Sequence, residues 1–89
     1  MRRAIDLERL EIFLAVAEHR SFTQAAEALY ISHSTTSRSV SSLEESLGAK
    51  LFLRDGRTGR PTRAGEELFH EGRQLRRRIK SGGDKVAAA

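Results

Sequence analysis

Residues 25–47, AAEALYISHSTTSRSVSSLEESL, decide the fold of this chain, because they predict two helices joined by a tight turn. Ala25, Ala26 and Leu29 are spaced as one face of a short helix. Ser32 suits the N-cap of the next helix, since its hydroxyl can accept a hydrogen bond from an N–H group of the first turn. That helix carries a narrow apolar stripe formed by Thr36, Val40, Leu43 and Leu47. The pattern is a helix-turn-helix in which residues 32–47 are a candidate recognition helix.

The face opposite that stripe is polar and rich in hydroxyl groups. Eight of the eleven residues from Ser32 to Ser42 are serine or threonine, which are neutral to unfavourable in a helix interior. Short hydroxyl side chains suit close approach to phosphates and base edges. The face consists of His33, Ser34, Ser37, Arg38 and Ser41. An ordinary solvated helix face is the alternative interpretation.

The length and composition fit one small intracellular domain. A chain of 89 residues is near the size at which a single core is just adequate. The absence of cysteine excludes disulfides and cysteine-bound metals. No apolar run approaches the length of a membrane span, and no apolar segment of the signal-peptide type follows Arg2 and Arg3. We therefore expect a soluble cytoplasmic protein with no membrane partner.

Charge is distributed unevenly along the chain. The formal net charge is +4 overall, but it is −3 over residues 4–19, +4 over residues 50–63 and +5 over residues 73–80. A basic second half favours a polyanionic partner on one side of the molecule. A solvated basic surface is the alternative.

Two helices are predicted before the recognition helix. Asp6 caps the first, which runs to about His19, and Ser21 fits a capping box that starts the second helix over residues 22–29. Thr23 and the N–H groups of this first turn could hold a phosphate. The apolar stripe of the first helix comprises Leu7, Leu10, Ile12, Phe13, Leu14, Val16 and Ala17.

A β-wing is predicted over residues 52–62, after the recognition helix ends with Gly48 as its C-cap. Two short extended arms flank a glycine-containing tip. Arginines on the wing could straddle phosphates or enter a minor groove, where the negative potential favours a guanidinium group. These arginines are Arg54, Arg57 and Arg60. The alternative is a solvent-exposed hairpin whose arginines serve solubility.

A last helix, capped by Thr62, is predicted over residues 64–80. Its apolar positions have heptad-like spacing, which indicates a seam for a partner helix. The seam comprises Leu68, Leu75 and Ile79, with Gly72 as a small filler. The alternative is that this face covers the core of its own domain. Gly82 and Gly83 should weaken the helix, so residues 81–89 are expected to be a flexible end or a fragment boundary.

Several short motifs follow one another in a defined order over about residues 6–80. They are Ser21-Phe22-Thr23-x-Ala25-Ala26-x-x-Leu29, Ser37-Arg38-x-Val40-x-x-Leu43-Glu44, Leu47-Gly48, Leu51-Phe52 and Thr62-x-Ala64-Gly65. Each motif alone is weak, but the ordered series is specific. The series resembles the DNA-binding domain of LysR-type transcriptional regulators.

The resemblance implies a mainly α-helical winged helix-turn-helix over residues 1–63, a three-helix core with a short β-hairpin, followed by a linker helix that joins two copies in a homodimer. It implies binding to double-stranded DNA at A/T-rich imperfect inverted repeats near promoters, within the bacterial nucleoid. The residues of the recognition face from His33 to Arg38 fall where the family touches bases and nearby phosphates. The effector-binding domain of the family is absent from this sequence, so a small-molecule effector could act only through that missing domain.

Two positions depart from the family pattern. The family usually has glutamine where this chain has His33. Glutamine can form two hydrogen bonds with adenine, whereas neutral histidine offers one donor and one acceptor. We therefore expect different preferred bases. Pro61 stands where the family usually has leucine, which predicts a shorter second strand in the wing.

Enzymatic and metal-binding functions are disfavoured. No carboxylate lies within helical reach of His33 to complete a catalytic triad with a neighbouring serine. His19, His33 and His70 show no ligand spacing, and no cofactor is expected. The alternatives to sequence-specific DNA binding are a basic protein-interaction module and a non-specific polyanion binder. A docking helix would show exposed apolar anchors, which the face around Arg38 lacks.

Overall fold

The computed structural model of the protein describes residues 6–53 and 58–88, with side chains described up to position 79. Within these residues, three helices are followed by a short antiparallel hairpin and a long helix. The elements are α1 (Leu7–His19), α2 (Phe22–Leu29), α3 (His33–Leu47), β1 (Phe52–Leu53), β2 (Arg60–Pro61) and α4 (Arg63–Ala88). The predicted mainly α-helical winged helix-turn-helix is confirmed. None of the described helices is both long and apolar enough to cross a membrane.

The predicted helix caps account for where the first three helices begin. The side chains of Asp6, Ser21 and Ser32 each accept a hydrogen bond from a backbone N–H of the following turn, at 3.1, 3.1 and 3.0 Å. Such caps satisfy N–H groups that have no partner inside the helix. At the other end of α3, Gly48 takes the left-handed conformation, with φ 68°, and its N–H donates to the last carbonyls of the helix. The predicted boundaries of these helices are therefore confirmed.

Three phenylalanines tie α1, α2 and the hairpin into one core. The ring of Phe52 lies 5.4 Å, centroid to centroid, from both Phe13 and Phe22. All three side chains are buried, and tilted or edge-on aromatic pairs at this distance are favourable. The hairpin is therefore anchored to the helices by its first strand. The other fully or nearly fully buried large side chains are Leu10, Leu14, Val16, Val40, Leu43 and Leu51.

Two leucines that the helical periodicity assigned to buried faces are exposed. Leu7 is the first residue of α1 and Leu29 is the last residue of α2. Their exposed fractions are 47% and 36%. Periodicity identifies the face of a helix but not how far along that face the neighbouring elements extend.

The long helix α4 begins at the predicted cap and packs closely on the domain. Thr62 Oγ1 accepts the N–H of Gly65 at 3.1 Å. A Cβ atom at Gly65 would collide with the backbone carbonyl of Leu51, and one at Gly72 would lie 3.1 Å from Leu14. The two glycines therefore let α4 approach the wing and α1 at close range.

The backbone of α4 continues to Ala88, past the predicted helix end at position 80. A glycine in a helix interior costs only about 1 kcal/mol relative to alanine. The glycine pair at 82 and 83 therefore weakens the helix without ending it, and Ala87 and Ala88 favour its continuation. Residues 81–88 are helical in the structure, where the sequence predicted a flexible end.

Candidate nucleic-acid interface

The predicted recognition residues lie together on the outward face of α3. The opposite face is fixed by buried Thr36, Val40 and Leu43, which pack into the core. The outward face comprises exposed His33, Ser34, Arg38 and Ser41 with half-buried Ser37. The helix is thus held by one face and presents a continuous polar surface with the other.

Some of the hydroxyl groups of α3 serve the helix itself. Ser32 Oγ donates to Thr35 Oγ1 at 2.8 Å and lies within hydrogen-bonding distance, 3.2 Å, of Ser34 Oγ. Thr36 Oγ1 donates to the carbonyl of Ser32 at 3.0 Å. The hydroxyl density that distinguishes this sequence therefore has two causes. The first turn uses hydroxyls to build its cap, and Ser37 and Ser41 lie on the outward face.

His33 is positioned by the core although it is exposed. It is the first residue of α3, and its ring centroid lies 6.2 Å from that of buried Phe22 with the planes at 44°. Phe22 is itself the first residue of α2. The contact places the imidazole between the starts of two helices while leaving the ring accessible to a partner.

The acidic start of α1 borders the recognition face on one side. Arg38 lines a shallow surface groove together with Asp6, Glu8 and Arg9. The carboxylates of Asp6 and Glu8 offset the charges of Arg9 and Arg38 in this groove, so it attracts a polyanion less than an uncompensated basic surface would. Favourable contacts with a polyanion are therefore expected along α3 and toward the wing, away from the first turn of α1.

A buried glutamate fixes the base of the wing. Glu44 is only 4% exposed, and its Oε2 accepts the backbone N–H groups of Leu51 at 2.7 Å and Phe52 at 3.3 Å. Glu44 ends one of the short motifs of the sequence, but the sequence analysis assigned it no role. A signal was present, because Glu44 lies four residues after Val40 on the buried stripe. A carboxylate in such a position requires hydrogen-bond donors.

Further backbone contacts attach the wing to the rest of the domain. Gly59 donates its N–H to the carbonyl of Arg20 at 3.0 Å, and Thr58 forms an isolated β-bridge with Ser21. A Cβ atom at Gly59 would lie 2.8 Å from Val16 Cγ1, so only glycine allows this approach. The second arm of the wing is therefore held against the turn between α1 and α2.

The wing arginines are only partly within the described structure. Arg60 lies exposed on β2, opposite Leu53 of β1. Pro61 pairs with Phe52, and each strand is two residues long. The shorter second strand expected from Pro61 stays a prediction. Arg54 and Arg57 lie outside the described residues. Thr23 is half-buried in the first turn of α2, where the sequence placed a phosphate contact.

The predicted seam of α4 divides into two parts. Leu68 is half-buried and packs against the core of its own chain, whereas Leu75 and Ile79 are 46% and 49% exposed. Gly72, predicted as a filler in the seam, faces α1. The more distant leucine and isoleucine are thus the part of the seam that one chain leaves uncovered. An apolar groove connects this part with α1, and it is lined by Leu7, Leu10, Leu68, Glu71, Gly72 and Leu75.

An ion pair fixes α4 against α1 beyond Gly72. The guanidinium of Arg76 donates to both carboxylate oxygens of Glu18, at 3.3 and 3.1 Å. This hydrogen bonding raises the pKa of Arg76, against the opposing effect of desolvation, and the charges of Glu18 and Glu11 add to the increase. The described residues contain no group of three or more histidine, aspartate or glutamate side chains able to hold a metal ion.

Comparison with known proteins identifies the family of the chain. Residues 7–66, more than half of the chain, match the family model of bacterial regulatory helix-turn-helix proteins of the lysR family. The transcriptional regulator IlvY of Escherichia coli K12 is 52% identical over 64 residues, covering 72% of this chain and 22% of IlvY. The RuBisCO operon transcriptional regulator of Allochromatium vinosum is 42% identical over 71 residues, covering 80% of this chain and 24% of that regulator. The chain therefore spans about a fifth to a quarter of the length of these relatives.

Solved structures show the same architecture. The DNA-binding domain of BenM in complex with benA site 1 DNA superposes with a TM-score of 0.89 at 31% identity, covering 94% of this chain and 98% of that one. The DNA-binding domain of CbnR in its DNA complex gives a TM-score of 0.87 at 30% identity, covering 94% and 97%. With the sequence match and the winged helix-turn-helix in agreement, this chain belongs to the LysR family of bacterial regulatory helix-turn-helix proteins.

Proposed function

We propose that this chain binds double-stranded DNA sequence-specifically, as the DNA-binding part of a bacterial transcriptional regulator in the cytoplasm. The observation that carries the proposal is the exposed polar face of α3, with Arg38 at its centre, on a helix whose other face is fully buried. Such a face contributes nothing to the core. Its hydrogen-bonding groups match those that contact base edges in a major groove. The function is binding, without a catalytic step.

The division of roles follows from the position of each group. His33, Ser34, Ser37 and Arg38 span roughly 8 Å of helix at about 1.5 Å per residue, which fits within a major groove about 12 Å wide. Arg38 can donate two hydrogen bonds to one guanine, and serine hydroxyls can pair with any base. Ser32 and Ser41 flank this group at the two ends of the face.

Phosphate contacts are assigned to the surroundings of the recognition helix. Thr23 and the N–H groups at the start of α2 form an anion-binding helix N-terminus. The wing arginines Arg54, Arg57 and Arg60 add positive charge on the other side. Contacts with phosphates position a protein on the duplex but carry little sequence information. Removing them should weaken binding to all sequences alike.

Two copies are proposed to bind an inverted repeat as a homodimer. The exposed Leu75 and Ile79, continued by half-buried Leu68, supply the apolar surface that a second α4 would cover. A two-fold axis through this contact would present two recognition helices to one side of the duplex. The seam then sets the spacing of the two half-sites.

Selection of bound duplexes from a random-sequence pool at moderate salt tests the function, with Arg38→Ala as the matched variant. Enrichment of an inverted repeat by the native chain alone supports dimeric, sequence-specific recognition. Enrichment of one half-site would keep DNA recognition but count against a homodimer formed through α4. Salt-sensitive binding without enrichment would indicate a non-specific polyanion binder, because counterion release acts on any duplex. No binding would favour the basic protein-interaction module.

A further inference from the structure

Tyr30 is a bulky residue in a backbone conformation that disfavours it. It forms the C-cap of α2 with φ 58° and ψ 40°, in the left-handed region. Its N–H donates to the carbonyls of Ala26 and Glu27, a task that glycine or asparagine performs without the same steric penalty. Left-handed residues other than glycine persist where function or surrounding structure requires them. The backbone alone therefore does not explain tyrosine at this position.

Packing does not explain the tyrosine either. Tyr30 is 95% exposed, whereas the next residue, Ile31, packs against the core. Ile31 also donates its N–H to the carbonyl of Ala26 at 3.0 Å. The turn is therefore anchored by Ile31 and by its backbone. The phenol ring of Tyr30 is left in solvent, and it contributes little burial to offset its backbone conformation.

The location of Tyr30 indicates a partner. It lies two residues before Ser32, the N-cap of α3, and so borders the end of the recognition helix that carries His33 and Ser34. This end carries the positive end of the helix dipole, which favours a negatively charged neighbour. Tyrosine is among the side chains that hydrogen-bond to DNA phosphates.

We propose that Tyr30 is a DNA-backbone contact, whose hydroxyl donates a hydrogen bond to a phosphate oxygen at the edge of the groove occupied by α3. The inference rests on the proposed function and adds a residue to it. The exposed residues nearest to Tyr30 on the α3 side, Ser32, His33 and Ser34, are polar, which favours a phosphate over an apolar protein surface as the partner. Because a phenol is uncharged, this contact releases no counterion and should not alter the dependence of binding on salt.

The test compares Tyr30→Phe and Tyr30→Asn with the native chain on a duplex enriched in the selection described above. Tyr30→Phe keeps the ring and removes the hydroxyl, and we expect its Kd to rise by roughly 3- to 10-fold, as for loss of one hydrogen bond. Tyr30→Asn should weaken binding at least as much, while its melting temperature is equal to or above that of the native chain, since asparagine tolerates the left-handed region. Arg20→Asn, at the other left-handed residue (φ 53°), is the matched stability control.

Two further readouts separate this role from a structural one. The slope of log K against log salt should be unchanged in both Tyr30 variants, and the preferred sequence should stay the same. Equal affinity of all three proteins for DNA would overturn the inference. If Tyr30→Phe binds DNA as tightly as the native chain and only Tyr30→Asn binds weakly, the contact is made by the ring, and the hydroxyl–phosphate hydrogen bond is overturned.

Unchanged DNA binding together with a changed effect on transcription in a purified system would place a protein partner at Tyr30 and overturn the phosphate contact. Failure of the native chain itself to bind any duplex would overturn the proposed function and this inference with it. Native binding with unaffected Tyr30 variants would overturn the inference alone.

Discussion

Helices α3 and α4 are both amphipathic, but they differ in how much of their apolar surface the chain covers. The stripe of α3 is buried from Thr36 to Glu44, and its exposed face is polar. On α4, Gly72 is buried against α1, and Leu75 and Ile79 beyond it are about half exposed. A face left polar after the core is complete is available for recognition, whereas an apolar surface left uncovered requires a partner.

The largest expected effect comes from charging the uncovered part of α4. Leu75→Asp should raise the dissociation constant of a homodimer by about 100-fold or more, because two buried leucine side chains are lost per dimer. Operator binding should weaken with it. Sedimentation equilibrium measures the change, and Gln74→Asp, an exposed position one residue away, is the control. A Leu75→Asp protein that remains dimeric would remove Leu75 from the interface.

The next largest effect tests how the wing is attached to α3. Glu44→Ala leaves two buried backbone N–H groups without an acceptor, and it should lower the free energy of unfolding by about 2–4 kcal/mol. Glu44→Gln keeps one carbonyl acceptor and should cost less. Urea denaturation measures both, with exposed Glu45→Ala as the neighbouring control, expected within about 0.5 kcal/mol of the native chain. Equal stability of the Glu44→Ala and Glu45→Ala proteins would contradict the structural role.

A smaller effect, on binding alone, is expected on the exposed face of α3. Arg38→Ala should reduce affinity for the selected operator by about 10- to 100-fold, which corresponds to a lost bidentate base contact. Thermal unfolding should be unchanged because the side chain is exposed. Arg77→Ala removes the same charge from an exposed position on α4 and should leave sequence preference intact. Unchanged site preference in Arg38→Ala would count against its role in base readout.

The smallest effect concerns the ion pair that fixes α4 on α1. Arg76→Ala should cost at most about 1 kcal/mol, since both side chains are partly exposed, and less at high salt. The pKa of Arg76 is raised, so its contribution is complete below its unfolded-state pKa and fades only as pH rises through the higher folded-state value. Urea denaturation of the native and Arg76→Ala proteins at pH 7 and 9 should therefore give the same difference. A difference that shrinks at pH 9 would contradict this assignment.

Local signals in the sequence predicted most of the fold. The caps Asp6, Ser21 and Ser32 and the C-cap Gly48 depend on residues within one helical turn, so their prediction needs no tertiary information. The exposed ends at Leu7 and Leu29 could not be predicted in this way. Their burial depends on how far the neighbouring elements extend.

The sequence predicted only part of the candidate site. The outward face of α3 follows from its apolar stripe, because one helix face determines the other. The role of Glu44 could not be predicted, because the sequence does not show that the N–H groups of Leu51 and Phe52 lie within hydrogen-bonding distance of its carboxylate. The sequence also could not predict which part of the α4 seam packs on its own domain. Spacing alone does not distinguish an interface with a partner helix from a contact within the domain, and the packing of Gly72 on α1 makes that distinction.

Besides the buried ring of Phe52, hydrogen bonds of main-chain atoms attach the wing to the rest of the domain. Glu44 accepts N–H groups from its first arm, Gly59 donates its N–H to a carbonyl, and Thr62 Oγ1 donates to the carbonyl of Lys50 at 2.6 Å. Main-chain groups are common to all residues, so these hydrogen bonds fix the path of the backbone at the base of the wing. Because Glu44 belongs to α3, the base of the wing keeps a fixed distance from that helix, and any movement of α3 would carry the base of the wing with it.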